Sequence, residues 1–182
     1  MADIGCDHGY LGIYLLKNHI ASQVIASDIN EGPLNAAVFN AEKFGVRDRM
    51  SFYLSDGLRN IPRDFDCMVC AGMGADTMMS IIHHAYDWLA DPKYRLILQC
   101  QSKRPELRRY LYANGFAIRR ETLAQDGKFI YPVTEVVYAP GETLRCTDLE
   151  IPQAAHTYAM IGSQPYWTWG FEMGYNEKGL MI

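Results

Sequence analysis

A chain of 182 residues can build one domain with a buried core, and 49% hydrophobic with 21% charged residues is a folded rather than a disordered composition. A formal net charge of −4 argues against a nucleic-acid binder that works through overall positive charge, although a local basic patch stays open. The apolar runs are far too short to span a membrane and the N-terminus is no signal peptide, so the expected location is cytoplasmic, with no membrane contact.

In chain order the sequence alternates short β-rich runs with helical stretches. Residues 1–4 are the stub of a strand and 9–18 a helix. Residues 24–27 form a strand ending at Asp28. The helix at 33–44 has Pro33 suited to its first turn and Gly45 at its stop. Residues 51–54 are a third strand closed by Asp56-Gly57. Residues 67–71 are a fourth, continuous and apolar, as expected for a strand buried on both faces. A helix at 76–89, a strand at 94–100 and a helix at 105–114 follow, the last stopping at Gly115. Two strands, 116–124 and 129–138, then meet across the hairpin connection Gln125-Asp126-Gly127-Lys128.

Five strands alternating with helices imply a doubly wound parallel sheet, and the final hairpin adds one antiparallel strand. The fold class is therefore α/β: a seven-stranded, mostly parallel sheet with one antiparallel strand, flanked by helices, in the Rossmann-like class I methyltransferase manner. The alternative, a dinucleotide-binding Rossmann domain, would continue with βαβ units where this chain makes a hairpin. The expected division is a cofactor-binding domain over residues 1–140 and a short aromatic-rich extension over 141–182, holding Tyr158, Tyr166, Trp167, Trp169, Phe171 and Tyr175.

The chemistry sits at successive strand ends. Asp3-x-Gly5-x-Asp7-x-Gly9 occupies a strand-to-helix junction, where Gly5 lets the backbone approach a ligand and the helix start offers free N–H groups. Acidic Asp3 and Asp7 suit the ammonium and sulfonium of S-adenosylmethionine and would repel a pyrophosphate; an ordinary turn is the competing reading. Asp28, about 20 residues on, is spaced to accept ribose hydroxyls, with a helix-capping role as the alternative. In Ser55-Asp56-Gly57, Asp56 can accept from an adenine amine while Gly57 leaves room for the ring; a plain turn explains the dipeptide equally well alone. Ala71-Gly72-Met73-Gly74 follows the fourth strand on the side of the sheet where ligands bind.

Other residues are weighed against blander roles. His8 lies inside the first turn and can touch substrate or make a structural hydrogen bond. Tyr10 can stack on a base, though core packing is its favoured role. His83 and His84, late on a helix, suit its C-terminal dipole. The five cysteines are odd in number and several lie in apolar runs, so buried free thiols are expected. Alternation points Cys67 and Cys70 to opposite faces, which argues against a redox or zinc pair, and no metal is expected. Lys103, Arg104, Arg108, Arg109, Arg119 and Arg120 are either a phosphate-binding patch or a solvated surface.

The segments Ala2-Asp3-Ile4-Gly5-Cys6-Asp7-His8-Gly9-Tyr10-Leu11, Ile29-Asn30-Glu31-Gly32-Pro33-Leu34, Ser55-Asp56-Gly57-Leu58 and Ala71-Gly72-Met73-Gly74 occur in that order, followed by Leu96-Ile97-Leu98-Gln99 and a last strand with Glu135. Together, over roughly residues 1–140, they resemble the bacterial tRNA adenine-N1 methyltransferases that modify adenine 22. The resemblance implies S-adenosylmethionine as methyl donor, tRNA as partner and adenine N1 as acceptor, with no obligate protein partner. It implies Asp3, Gly5, Asp7, Asp28, Ile29, Asp56, Gly57 and Gly72 as cofactor residues. Asp7, His8, Tyr10 and Met73, with Gly72 and Gly74, would lie at the methyl-transfer centre. The family pattern also has a helical segment before the first strand and a C-terminal coiled-coil-like extension. This sequence departs from it at both ends, so an N-terminally shortened form is expected. The remaining readings are a methyltransferase of the same fold with a small-molecule or protein acceptor, and a non-catalytic cofactor-binding remnant.

Overall fold

The structure is a computed structural model that describes residues 1–142 and, in backbone only, the two short strands Ala159–Ile161 and Gln164–Tyr166. Seven strands form one sheet: β1 (Ala2–Ile4), β2 (Val24–Asp28), β3 (Met50–Leu54), β4 (Cys67–Met73), β5 (Arg95–Cys100), β6 (Phe116–Asp126) and β7 (Phe129–Tyr138). Their order across the sheet is β3-β2-β1-β4-β5-β7-β6, with β7 alone antiparallel to its neighbours. This is the expected fold class. The helices are α1 (Tyr10–Lys17), α2 (Glu31–Lys43), α3 (Ala75–Leu89) and α4 (Arg104–Ala113). The two strands at Ala159–Ile161 and Gln164–Tyr166 pair antiparallel, an element that the aperiodic sequence of the extension did not announce.

Local sequence explains where elements stop. Gly45 (φ 71°) ends α2 in the left-handed region, letting Gly45 and Val46 donate back to the Glu42 and Ala41 carbonyls, so the buried Val46 closes the last turn. The helix itself starts at Glu31, two residues before the expected Pro33, which still lies in its first turn. Gly127 (φ 58°) and Lys128 make a two-residue hairpin turn, so β6 runs two residues further than the pattern of 116–124 indicated.

Two apolar clusters lie on opposite faces of the sheet. On one face α3 and α4 cover Ala2 and Ile4 of β1, Met68 and Cys70 of β4, Leu96 and Leu98 of β5 and Val136 of β7. On the other, α1 and α2 cover Val24 and Ala26 of β2 and Met50 of β3. Beyond α1 that second face is open. Cys67, Val69, Ala71, Ile97, Gln99 and Val133 line a groove of about 590 Å³, walled by Leu11 and Leu15 of α1. The expectation that β4 is buried on both faces is thus corrected: Met68 and Cys70 are buried, Cys67 and Val69 only half-buried. An apolar run reports that a strand avoids water, but the cover must come from elsewhere in the chain, and none of the described helices reaches here.

The β6–β7 hairpin outruns its neighbour. Pairing with β5 ends at Leu98–Thr134, while β6 and β7 stay paired to Asp126–Phe129. At about 3.3 Å per residue the hairpin tip stands roughly 10 Å past the end of β5, on the carboxyl side of the parallel strands.

Candidate active site

The sequence motifs converge at the carboxyl ends of β1, β2, β3 and β4. The first turn is built on backbone strain. Gly5 (φ 71°), Asp7 (φ 48°) and Gly9 (φ 73°) all take the left-handed region. The turn is tied to β2 because the Gly5 and Cys6 N–H groups both donate to the Ser27 carbonyl at 2.8 Å. Gly9 caps α1, and a Cβ there would meet the Ala37 Cβ at 2.9 Å, so glycine is what lets α1 approach α2. A Cβ on Gly5 would stand 2.3 Å from Met73 Cε, which brings the first turn and the β4 loop into contact.

The acids are arranged unequally. Asp3 is 5% exposed, its Oδ2 is buried without a hydrogen-bond partner, and burial, with the nearby Asp28 charge second, pushes its pKa up to about 6. Asp28 is also buried, but it is held: its Oδ2 accepts the Asp7 N–H at 3.1 Å and its Oδ1 the Asn30 N–H at 2.9 Å. It thus joins the first turn to the entry of α2. Each carboxylate oxygen keeps a lone pair for a further donor. Ile29 beside it is 63% exposed.

Asp7 and His8 stand at the rim, the Asp7 Oδ2 lying 2.7 Å from His8 Nδ1, with both side chains more than half exposed. The His8 carbonyl accepts from the buried Asn40 amide at 3.0 Å, so the backbone of the turn is fixed while the ring lies at the surface against Asp7. Tyr10 corrects an expectation. It is 59% exposed rather than packed in the core, with the His8 ring 6.2 Å away and nearly parallel, and Phe44 edge-on at 6.4 Å.

At β3, Asp56 is exposed and pairs with Arg59 at 3.2 Å. The Ser55 hydroxyl, buried and assigned no role from sequence, donates to the Gly57 carbonyl and accepts the Asn60 N–H, which shapes this loop. Gly57 (φ 60°) lets α3 approach closely, since a Cβ would meet Ile81 Cγ1 at 2.8 Å.

The segment Ala71-Gly72-Met73 belongs to β4 rather than following it. The register against β5 jumps from Ala71–Gln99 to Met73–Cys100, leaving Gly72 (φ 76°) as the extra residue of a bulge. A Cβ at Gly72 would meet nothing within 4 Å, so this glycine faces open space. Its N–H donates to Gln99 Oε1 at 3.0 Å. Gln99 is the residue sequence reading passed over, although a lone amide ending the apolar run Leu96-Ile97-Leu98 was a signal.

Several other candidates resolve simply. Cys6, Cys70 and Cys100 are buried and Cys67 half-buried, all free thiols; Cys146 lies outside the described residues. Burial first, with the Asp3 charge next, pushes Cys6 and Cys70 up to about 12, which keeps both as neutral thiols at ordinary pH. Cys67 opens on the groove and Cys70 on the core, as alternation required. Lys103, Arg108 and Arg119 are engaged by Asp76, Glu121 and Glu142, so half of that basic set is spent on internal pairs. His84 Nδ1 donates to the Ser80 carbonyl at 2.7 Å and its Nε2 accepts from Arg59 at 2.8 Å, a more specific role than a helix dipole. Among the described residues no group of three His, Cys, Asp or Glu side chains is placed to hold a metal ion.

A family model described as TrmK, tRNA (adenine(22)-N(1))-methyltransferase, matches residues 1–157. The chain belongs to the tRNA (adenine(22)-N(1))-methyltransferase family. A Bacillus subtilis relative named tRNA (adenine(22)-N(1))-methyltransferase is 39% identical over 130 residues, covering 70% of this chain and 54% of the relative. The crystal structure of the B. subtilis M1A22 tRNA methyltransferase TrmK superposes with a TM-score of 0.74 at 32% identity, covering 86% of this chain and 65% of that one. The Mycoplasma capricolum TrmK structure, in complex with S-adenosyl-homocysteine, gives 0.70 at 28% identity over 81% and 66%. The chain spans 54% of the length of that B. subtilis relative and 58% of a putative tRNA methyltransferase of Mycoplasma genitalium, 37% identical over 134 residues.

Proposed function

We propose that this chain transfers a methyl group from S-adenosylmethionine to N1 of adenine 22 in tRNA. The observation that carries the reading is the convergence of a strained glycine turn, two buried acids and an open glycine bulge at one end of the sheet, in a chain of this family. The residues fit the donor. Asp3 offers a buried oxygen with no partner, suited to a cationic group, and Asp28 is oriented by two backbone N–H groups for ribose hydroxyls. Gly5, Asp7 and Ile29 complete that side. Asp56, with Gly57 shaping its loop, would take the adenine amine in exchange for its pair with Arg59.

When bound, the donor supplies an electrophilic methyl group on a sulfonium. Adenine N1 attacks with its own lone pair, so the chain need not supply a base for that step; its work is alignment and exclusion of water. The N1–carbon bond forms as the sulfur–carbon bond breaks, leaving the ring cationic. Asp7, paired to His8, holds a negative charge at the rim beside that cation. Tyr10, exposed next to them, would present a flat face to a base, and Gly72 and Met73, which reaches Gly5 of the first turn, would line the centre with it. Because N1 lies on the pairing edge, the adenine must be unpaired when it enters. A cytoplasmic location accords with a tRNA substrate, and no helix among the described residues is long and apolar enough to cross a membrane.

The test is incorporation of labelled methyl from S-adenosylmethionine into bulk tRNA. We expect incorporation that disappears when adenine 22 is replaced, and at least a 100-fold loss of rate in Asp7→Ala, consistent with the loss of an aligned group. Incorporation that survives replacement of adenine 22 would point to another acceptor. Donor binding by calorimetry without any transfer would make the chain a non-catalytic binder.

A further inference from the structure

We infer that Gln99 is a positioning residue for methyl transfer, clamping the Gly72 bulge at the transfer centre through its side-chain carbonyl. The inference rests on the methyltransferase reading above for its role, and on geometry for its existence. Ala71 and Gln99 are register partners on adjacent parallel strands, and the bulge begins at the next residue. A bulge takes its extra residue out of the strand ladder, so Gly72 needs another acceptor for its N–H. The Gln99 side chain provides it at 3.0 Å, and the Gln101 amide also donates to the same Oε1 at 3.2 Å.

Two donors meeting on one oxygen fix which way the amide faces. The consequence is visible on the other side: Gln99 Nε2 is buried with no partner. Turning the amide over would satisfy neither end, because Nε2 would then face the Gly72 N–H. A buried donor left unsatisfied is costly and rare, and it marks a side chain held for the sake of another contact. The contact protected here is the Gly72 N–H.

From Gly72 the effect passes directly to the first turn. Met73 follows in the chain, its carbonyl accepts the Gln101 N–H at 2.8 Å, and its Cε lies 2.3 Å from where a Cβ of Gly5 would be. Gly72 has empty space on its open side, so packing does not hold it in place there. Without the clamp the bulge is free to shift into that space, and displacements of about 1 Å at a reacting centre cost roughly 100-fold in rate.

The test compares Gln99→Met, which keeps length but removes the carbonyl, with Gln99→Glu, which keeps an acceptor and removes the orphan donor. Both are made in the full chain and checked by melting temperature. For Gln99→Met we expect kcat for tRNA methylation to fall roughly 10- to 100-fold while the Kd for S-adenosylmethionine moves less than about threefold. We also expect amide hydrogen exchange at Gly72, read by NMR, to become at least about tenfold faster, as a lost protecting hydrogen bond requires. Gln99→Glu should recover slow exchange at Gly72 and most of kcat. Unchanged Gly72 exchange in Gln99→Met overturns the clamp. So does a kcat equal to wild type, or a loss of donor affinity that matches the loss of rate. If the wild-type chain itself methylates no tRNA, the methyltransferase reading fails, while Gly72 exchange in the two variants still decides whether the clamp exists.

Discussion

The two faces of the sheet are made by the same strands and differ completely in cover. One face is sealed by α3 and α4 from β1 to β7, with Leu96, Leu98, Met68 and Val136 essentially inaccessible. Among the described residues the other is sealed under α1 and α2, and beyond them Val69, Ile97 and Val133 line a groove. Alternation along a strand hands side chains to both faces equally. The difference therefore lies in which helices the chain places on each side, and it means that neighbouring residues of equal hydrophobicity carry very unequal weight.

The largest effect that tests this contrast is a charge. Leu98→Asp puts a carboxylate into the sealed face without a partner and should abolish cooperative folding. Val69→Asp, on a half-buried position facing the groove, should cost about 1 kcal/mol or less in urea denaturation. Equal damage from both would break the contrast. Truncation gives the graded version: Leu98→Ala should cost about 3 kcal/mol, Ile97→Ala, its immediate neighbour, about 1 kcal/mol.

Asp3 sharpens the comparison, because it is a buried charge on the sparser face: Ala2 and Ile4 on either side point into the α3–α4 core. Its pKa of about 6 lies above the ordinary 3.8, so the folded state holds the proton more tightly than the unfolded chain. That contribution is complete below about pH 4 and is lost as pH rises through about 6, which amounts to roughly 3 kcal/mol. Asp3→Asn should therefore stabilise the fold at pH 7 by about 2 kcal/mol and flatten the fall in stability between pH 4 and 6. The same variant should bind S-adenosylmethionine at least about tenfold more weakly by calorimetry, the usual conflict between stability and a working site. The smallest effect is optical. An apolar dye should brighten with the native chain, and Ile97→Lys should remove most of that signal without changing the melting temperature by more than about 3 °C.

Much of this was readable in the sequence, and for a definite reason. Period and punctuation are local, so the alternation of strands and helices, the stop at Gly45 and the hairpin at Gly127 follow from residues close in the chain. The acids at Asp3, Asp28 and Asp56 were equally plain, since each lies within or just past a short β-rich run. What failed to show depends on distant partners. The packing of Gly57 against α3 was hidden because its neighbour, Ile81, comes 24 residues later. Tyr10 looked like core because its exposure depends on what lies over α1. The half-covered state of β4 and the Gln99 clamp likewise arise between strands, where a bulge in one creates a need met by a side chain of the next.

The place of β1 in the sheet has a consequence for how the chain is made. It is three residues long and central, flanked by β2 and β4, and Ala2 pairs with Ile25 on one side and Met68 on the other. At translation rates of about 5–20 residues per second, the second partner arrives roughly 3–13 s after the first strand leaves the ribosome. During that interval β1 has an unpaired edge that bears Asp3 and the glycine turn. The first turn, with Asp3 and Gly5, is thus synthesised well before the second strand that flanks it, so its geometry waits on a non-local pairing.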